Sequence, residues 1–217
     1  PASAAVRARG YLILVLPDGR EGERLAIPDD GMRVGRELGG IFAADPYLSP
    51  VHAQLAFQGD RVMVEDLASV NGVFVCLPRQ VPTALSDGDI FRIGQELVRF
   101  EAFSANASTD ENDVERMGSP NPGYAGRICL LYGPNEVGNA FCVPAEGLHL
   151  GRERGDLLFP EDGYVSGLHC RIQPKDDGAE LTDLGSSNGT FLRIQAPTAV
   201  APGGLLLIGQ QLFRVEY

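Results

Sequence analysis

An arginine, a hydroxyl and a side-chain amide occur together twice in this chain, and each can donate hydrogen bonds to an anion. The first set is Arg36 in Val34-Gly35-Arg36, Ser49 in Leu48-Ser49-Pro50-Val51-His52, and Asn71 in Ser69-Val70-Asn71-Gly72. The second is Arg152 in Leu150-Gly151-Arg152, Ser166 in Val165-Ser166-Gly167-Leu168-His169, and Asn188 in Ser186-Ser187-Asn188-Gly189. The arginines lie 116 residues apart and the serines, histidines and asparagines 117, so the chain is a duplication. Further on, Pro82-Thr83-Ala84 returns as Pro197-Thr198-Ala199 and Ile93-Gly94-Gln95 as Ile208-Gly209-Gln210, both at an offset of 115. The first copy therefore carries two extra residues in one loop. A guanidinium fork matches phosphate oxygens in pairs, and a hydroxyl and an amide supply further donors. Together they describe an anion reader.

Other chemistries fit these residues less well. Ser49 with His52, or Ser166 with His169, could be drawn as a hydrolase pair, but such a site is recognised by geometry and not by spacing. Neither serine sits in a G-x-S-x-G elbow. Without a Walker loop, paired acids or metal-ligand spacing, the sequence predicts no catalytic residues, no metal and no cofactor. Cys76, Cys129, Cys142 and Cys170 form no C-x-x-C pair and read as buried thiols in a reducing compartment, although Cys129 and Cys142 are spaced so that a hairpin could pair them.

The net charge of -11 has no basic segment set against it. Nucleic-acid binding needs a concentrated positive footprint, so no nucleic-acid partner is expected. An acidic body also repels anions at long range, which means an anion site must be assembled from local donors. No apolar run approaches the roughly 20 residues of a membrane span, and Tyr11 to Leu16 is strand-sized rather than a signal peptide. Neither a membrane partner nor export is expected, and the location read from the chain is cytoplasmic. The chain opens on Pro1 instead of Met, as an excised or processed piece would.

Positioning such residues needs a rigid scaffold with loops at one end. At 217 residues the chain can form two domains of about 100 residues each. Short β-type runs recur at Tyr11 to Leu16, Met32 to Val34, Ala53 to Phe57, Arg61 to Glu65, Val73 to Val75, Ile90 to Ile93 and Leu97 to Glu101. Turn signals such as Pro17-Asp18-Gly19-Arg20 and Gly59-Asp60 separate them. The series restarts at Arg127 to Tyr132 and Ala140 to Val143, and each copy ends in the same hairpin pattern. No window of a dozen residues in the first half shows a convincing helical period, and the second half repeats its pattern, so the class is all-β, two sandwiches of antiparallel or mixed sheets. Between them Ser104 to Gly126 has linker composition. The expected division is 1–103, a flexible linker over 104–125, and 126–217.

Three ordered elements at matching spacing, present twice, resemble the forkhead-associated (FHA) domains, phosphothreonine-binding β-sandwiches. The resemblance covers roughly 25–101 and 142–216. It implies that Arg36 and Arg152 grip phosphate oxygens, that Ser49 and Ser166 add a hydroxyl donor, and that Asn71 and Asn188 bond the main chain of the bound peptide. It also implies that Gly35, Gly72, Gly151 and Gly189 hold tight turns while His52 and His169 brace the loops from behind. Departures occur after the serine, where Pro50 and Gly167 stand in place of the family's frequent donor, and before the asparagine, where Ser187 keeps a hydroxyl and Val70 does not.

The function that follows by resemblance is phosphothreonine-dependent binding by an adaptor in Ser/Thr kinase signalling, with kinase substrates as partners. Domain 2 is then the more complete site. The alternative is a phosphate-independent interaction or dimerisation scaffold, at least for domain 1. Thr109 in the acidic linker offers a further idea, self-association through its phosphorylated form.

Overall fold

Alternating burial builds the strands. In Arg61–Asp66, for instance, Val62 and Val64 point inward while Arg61 and Glu65 face water, the period of two that a half-buried strand requires. The computed structural model describes residues 8–103, 110–133, 136–175 and 178–217. The first repeat supplies β1 (Ala8–Val15), β2 (Glu21–Pro28), β3 (Met32–Val34), β4 (Ala53–Gln58), β5 (Arg61–Asp66), β6 (Val73–Cys76), β7 (Thr83–Leu85), β8 (Ile90–Ile93) and β9 (Glu96–Ala102). The second supplies β10 (Gly126–Gly133), β11 (Glu136–Val143), β12 (Leu148–Gly151), β13 (Leu157–Leu158), β14 (Cys170–Lys175), β15 (Gly178–Asp183), β16 (Thr190–Arg193), β17 (Thr198–Val200), β18 (Leu205–Ile208) and β19 (Gln211–Glu216). Among the described residues there is no α-helix, so the all-β expectation holds.

The repeats and the packed units do not coincide. Unit 1 joins the chain up to Cys76 with Phe191–Tyr217, and unit 2 is the continuous stretch Leu77–Thr190. In unit 1 one sheet runs β2-β1-β19-β18-β6-β16 and the other β17-β5-β4-β3. Strands of the second repeat thus complete the first: Leu14 lies opposite Phe213 and Val64 opposite Thr198. Their side chains share one core, with Leu12, Val34, Phe42 and Leu55 packed among Val200, Leu206, Ile208 and Phe213. The rings of Phe42 and Phe213 are 5.6 Å apart.

Unit 2 mirrors this arrangement. Its sheets contain β11-β10-β9-β8 and β13-β12-β14-β15-β7, with Arg99 opposite Cys129 and Leu85 opposite Ala179. The sequential division into 1–103 and 126–217 is therefore replaced by an exchange of closing strands. Because Ala102 pairs with Gly126, the segment 104–125 connects β9 to β10 inside unit 2 instead of linking two domains. Thr109 lies outside the described residues.

A duplicated sequence makes such an exchange possible. β8 and β18 share one burial pattern, as do β7 and β17, so either closing hairpin fits either sandwich. The cysteines follow the same strand register. Cys129 and Cys170 are buried, Cys76 is half-buried and Cys142 exposed. Cys129 faces Ala140 while Cys142 faces Arg127, so the hairpin places the two thiols out of register.

Interlocked strands have a direct consequence. Cleavage within 104–125 is expected to leave the two fragments co-eluting on gel filtration under native conditions and separating only in denaturant. Fragments that parted after native cleavage would show that each repeat closes on itself.

Candidate functional site

Both sites are built at sheet ends from three loops tied together by backbone bonds. In unit 1 the N–H of Arg36 donates to Ser49 O at 3.1 Å and that of His52 to Val34 O at 2.8 Å, so the arginine and serine loops run side by side. In unit 2, Arg152 donates to Ser166 O at 2.9 Å and His169 to Leu150 O at 2.8 Å. This proximity needs a residue without a side chain. A Cβ on Gly35 would collide with the Pro50 carbonyl, and one on Gly151 with the carbonyls of Arg154 and Gly167. Gly35 is in extended backbone, φ 163° and ψ 173°, so close approach rather than a tight turn explains it.

The histidines are buried braces. Ser49 N–H donates to His52 Nδ1 at 3.1 Å, which requires that nitrogen to be unprotonated. The proton then sits on Nε2, which donates to Gly72 O at 3.0 Å. His169 repeats this between Ser166 N–H, at 3.0 Å, and Gly189 O, at 3.2 Å. Burial lowers the proton affinity of His169 below its ordinary value. A depressed histidine contributes fully above the free-chain value of about 6.5, and its contribution falls as pH drops from there through the folded value. Gly72 and Gly189 hold positive φ, 80° and 86°, at the turn each histidine grips.

Serine and asparagine converge next. The N–H of Val70 donates to Ser49 Oγ at 3.1 Å, and that of Ser187 to Ser166 Oγ at 2.9 Å. With an acceptor lone pair filled from the protein side, each hydroxyl keeps its own hydrogen for a ligand. Asn71 Nδ2 donates to Tyr47 O at 2.8 Å and Asn188 Nδ2 to Tyr164 O at 2.9 Å, which fixes each exposed amide. The arginines differ. Arg152 Nη2 is 2.7 Å from Glu153 Oε1, whereas the Arg36 side chain has no ion pair among the described residues. An exposed pair of this kind contributes only about 0–1 kcal/mol, so a ligand can displace it.

Behind these residues lie supports that sequence reasoning missed. Asp45 accepts from Tyr47 N–H at 2.9 Å and, from the second repeat, Gln210 N–H at 3.0 Å. Asp162 accepts from Tyr164 N–H at 2.8 Å and, from the first repeat, Gln95 N–H at 2.6 Å. Each site is therefore composite. The spacing could have revealed the acids, since Asp45 and Asp162 are 117 apart, as the serines are.

The asparagine loops rest on unequal bases. Asp183 is fully buried and accepts from Gly185 and Ser186 N–H, from Ser186 Oγ at 2.6 Å and from Thr190 Oγ1 at 2.7 Å. Burial pushes its carboxyl up, but these bonds outweigh burial and hold it below the ordinary carboxylate range. Among the described residues Asp66 accepts from Ser69 N–H at 3.1 Å and has Arg193 at 4.0 Å, and Val73 stands where Thr190 does. Among the described residues no cluster of His, Cys, Asp or Glu could hold a metal, and no helix is long and apolar enough to cross a membrane.

Comparison with known proteins gives a family for this geometry. The family profile described as FHA domain matches residues 32–94 and 148–209, more than half of the chain. A curated Corynebacterium diphtheriae protein described as an oxoglutarate dehydrogenase inhibitor is 32% identical over 71 residues, covering 33% of this chain and 49% of that protein. The chain thus spans about half the length of that relative. The crystal structure of the FHA domain of CT664 protein from Chlamydia trachomatis is 22% identical, covering 42% of this chain and 97% of that one, with a TM-score of 0.25. A structure described as a structural and functional analysis of phosphothreonine-dependent FHA domain interactions is 21% identical, covering 39% and 90%, with a TM-score of 0.23.

Replacing Thr190 by Val removes one donor from a buried carboxylate and should destabilise unit 2 by about 1.5–3 kcal/mol. A depressed carboxyl stabilises the fold above its free-chain value of about 3.9 and ceases to do so as pH falls through the folded value. Losing a donor lifts the folded value, so acid unfolding followed by circular dichroism should begin at higher pH. An unchanged acid transition would show that Thr190 adds nothing to the loop.

Proposed function

This chain belongs to the FHA domain family, whose members are phosphothreonine-dependent binding modules in signalling, and we propose that it is an adaptor in Ser/Thr kinase signalling whose site 2 is the more complete. The observation that carries this reading is the pair of bonds from Val70 and Ser187 N–H to the serine hydroxyls, 3.1 and 2.9 Å. They leave the hydrogen of each hydroxyl unspent, on a loop whose backbone is bonded to the one that carries the arginine. A phosphothreonine brings about -1.5 to -2 charges and three acceptor oxygens, enough for one to three charge-assisted bonds. Arg36 and Arg152 grip these oxygens, Ser49 and Ser166 add the hydroxyl donor, and Asn71 and Asn188 bond the peptide main chain. The partners are proteins phosphorylated on threonine by such kinases.

Two features favour site 2. Gly167 keeps an N–H for which the described residues offer no partner, whereas Pro50 has none to give. Ser187 adds a hydroxyl where Val70 presents a hydrocarbon, 74% exposed. That apolar surface favours a second reading for site 1 alone, as a contact for apolar partners without phosphate. The Corynebacterium relative is described as an inhibitor, and inhibition by binding suits the same kind of module.

Hydrogen bonds to a charged group contribute about 1.5–3 kcal/mol each. Arg152→Ala in the full chain should therefore abolish most binding of a phosphothreonine peptide, and Arg36→Ala should matter little, as read by titration calorimetry. Equal losses would overturn the asymmetry, and a wild-type chain that ignored phosphothreonine peptides would overturn the function.

A further inference from the structure

The loop carrying the two extra residues reaches site 2. Between Leu77 and Pro82 the first copy has Pro78-Arg79-Gln80-Val81, where the second has Gln195-Ala196 between Ile194 and Pro197. Strand exchange puts this longer loop in unit 2. It is pinned at both ends, Leu77 N–H donating to Thr190 O at 2.8 Å and Gln80 N–H to Asp183 O at 2.8 Å. From between these anchors Arg79 Nη2 extends to Ser187 O at 3.3 Å. Ser187 is the residue whose own N–H holds the Ser166 hydroxyl.

We propose that Arg79, donated by the first repeat, is a second cationic contact of site 2 that selects phosphothreonine peptides bearing a further anionic group. This rests on the phosphothreonine reading of that site. The further group is a carboxylate or a second phosphate, since both present the oxygens a guanidinium fork prefers. Arg79 is exposed and has five N–H donors, one of them spent on an exposed carbonyl that water would serve equally well. The bond therefore holds the side chain at the site without being needed for the fold. The chain carries -11 overall and Glu153 flanks Arg152, so attraction of an anionic peptide depends on individual cations such as Arg79. The shorter loop of unit 1, Gln195-Ala196, carries no cation, and the Arg193 that precedes it lies against Gly72 with its guanidinium 4.0 Å from Asp66, so the selectivity is assigned to site 2.

The test compares wild type with Arg79→Ala and Arg79→Lys as full chains, after circular dichroism shows unchanged folding. Three peptide sets share one phosphothreonine and carry, elsewhere, neutral residues, added Asp or Glu, or a second phosphate. Wild type should prefer one or both anionic sets. Arg79→Ala should lose that preference by about tenfold or more while binding the neutral peptide as before. Arg79→Lys should retain part of it, having the charge without the fork. A loss confined to the acidic set identifies a carboxylate as the group read, and one confined to the doubly phosphorylated set a phosphate. Unchanged selectivity in Arg79→Ala, or an equal loss for the neutral peptide, overturns the selector. Failure of every phosphothreonine peptide on wild type instead removes the function beneath it.

Discussion

Two backbone N–H groups, those of Gln95 and Gln210, each donate to an aspartate that belongs to the other repeat. On these bonds depends the position of the serine loops, because Asp45 and Asp162 also hold the N–H of Tyr47 and Tyr164. The tyrosine carbonyls in turn hold the asparagine amides. Each turn fits closely: a Cβ on Gly94 would strike Asp162, and one on Gly209 would strike Asp45. A closing hairpin thus does more than cover a sheet edge. It sets the distance between the loops that meet a ligand.

Much of this was legible in the residues. The fixed offset exposed the duplication, period-two patterns located most strands, and the loop residues Arg36, Ser49 and Asn71 with their counterparts do come together. Pairing was not legible. Ile90 to Ile93 and Leu205 to Ile208 are equally good closing strands for either sandwich, and apolar periodicity records which face is buried, not against which partner. The linker reading failed for the same reason, since a polar stretch of that length can join two domains or two strands of one. Asp45 and Asp162 were missed because an aspartate before a turn is so common that its burial only shows once the hairpin is docked.

Duplication also left two sites of unequal rigidity. In unit 2 a buried carboxylate organises the asparagine loop through hydroxyl and amide donors, and Gly185 takes positive φ, 88°, without strain. In unit 1 Ala68 occupies the corresponding place at φ 55°, where a residue with a Cβ costs about 1–2 kcal/mol. Valines at 70 and 73 replace the hydroxyls of Ser187 and Thr190. The first loop is held more by the buried histidine than by its own polar network.

An inserted unit has a history as well as a shape. Unit 2 is continuous from Leu77 to Thr190, so it can fold as soon as it leaves the ribosome. Unit 1 cannot, because β1 and β5 each lack the neighbour on one side, and β6 lacks both of its neighbours, until β16 to β19 are made. At the usual speed of synthesis the N-terminal strands wait on the order of ten seconds with unpaired edges. Such edges invite pairing with other chains. The nascent protein is therefore most vulnerable while its second half is being translated, and a chain that stalls before Phe191 leaves a finished unit 2 attached to an open sheet.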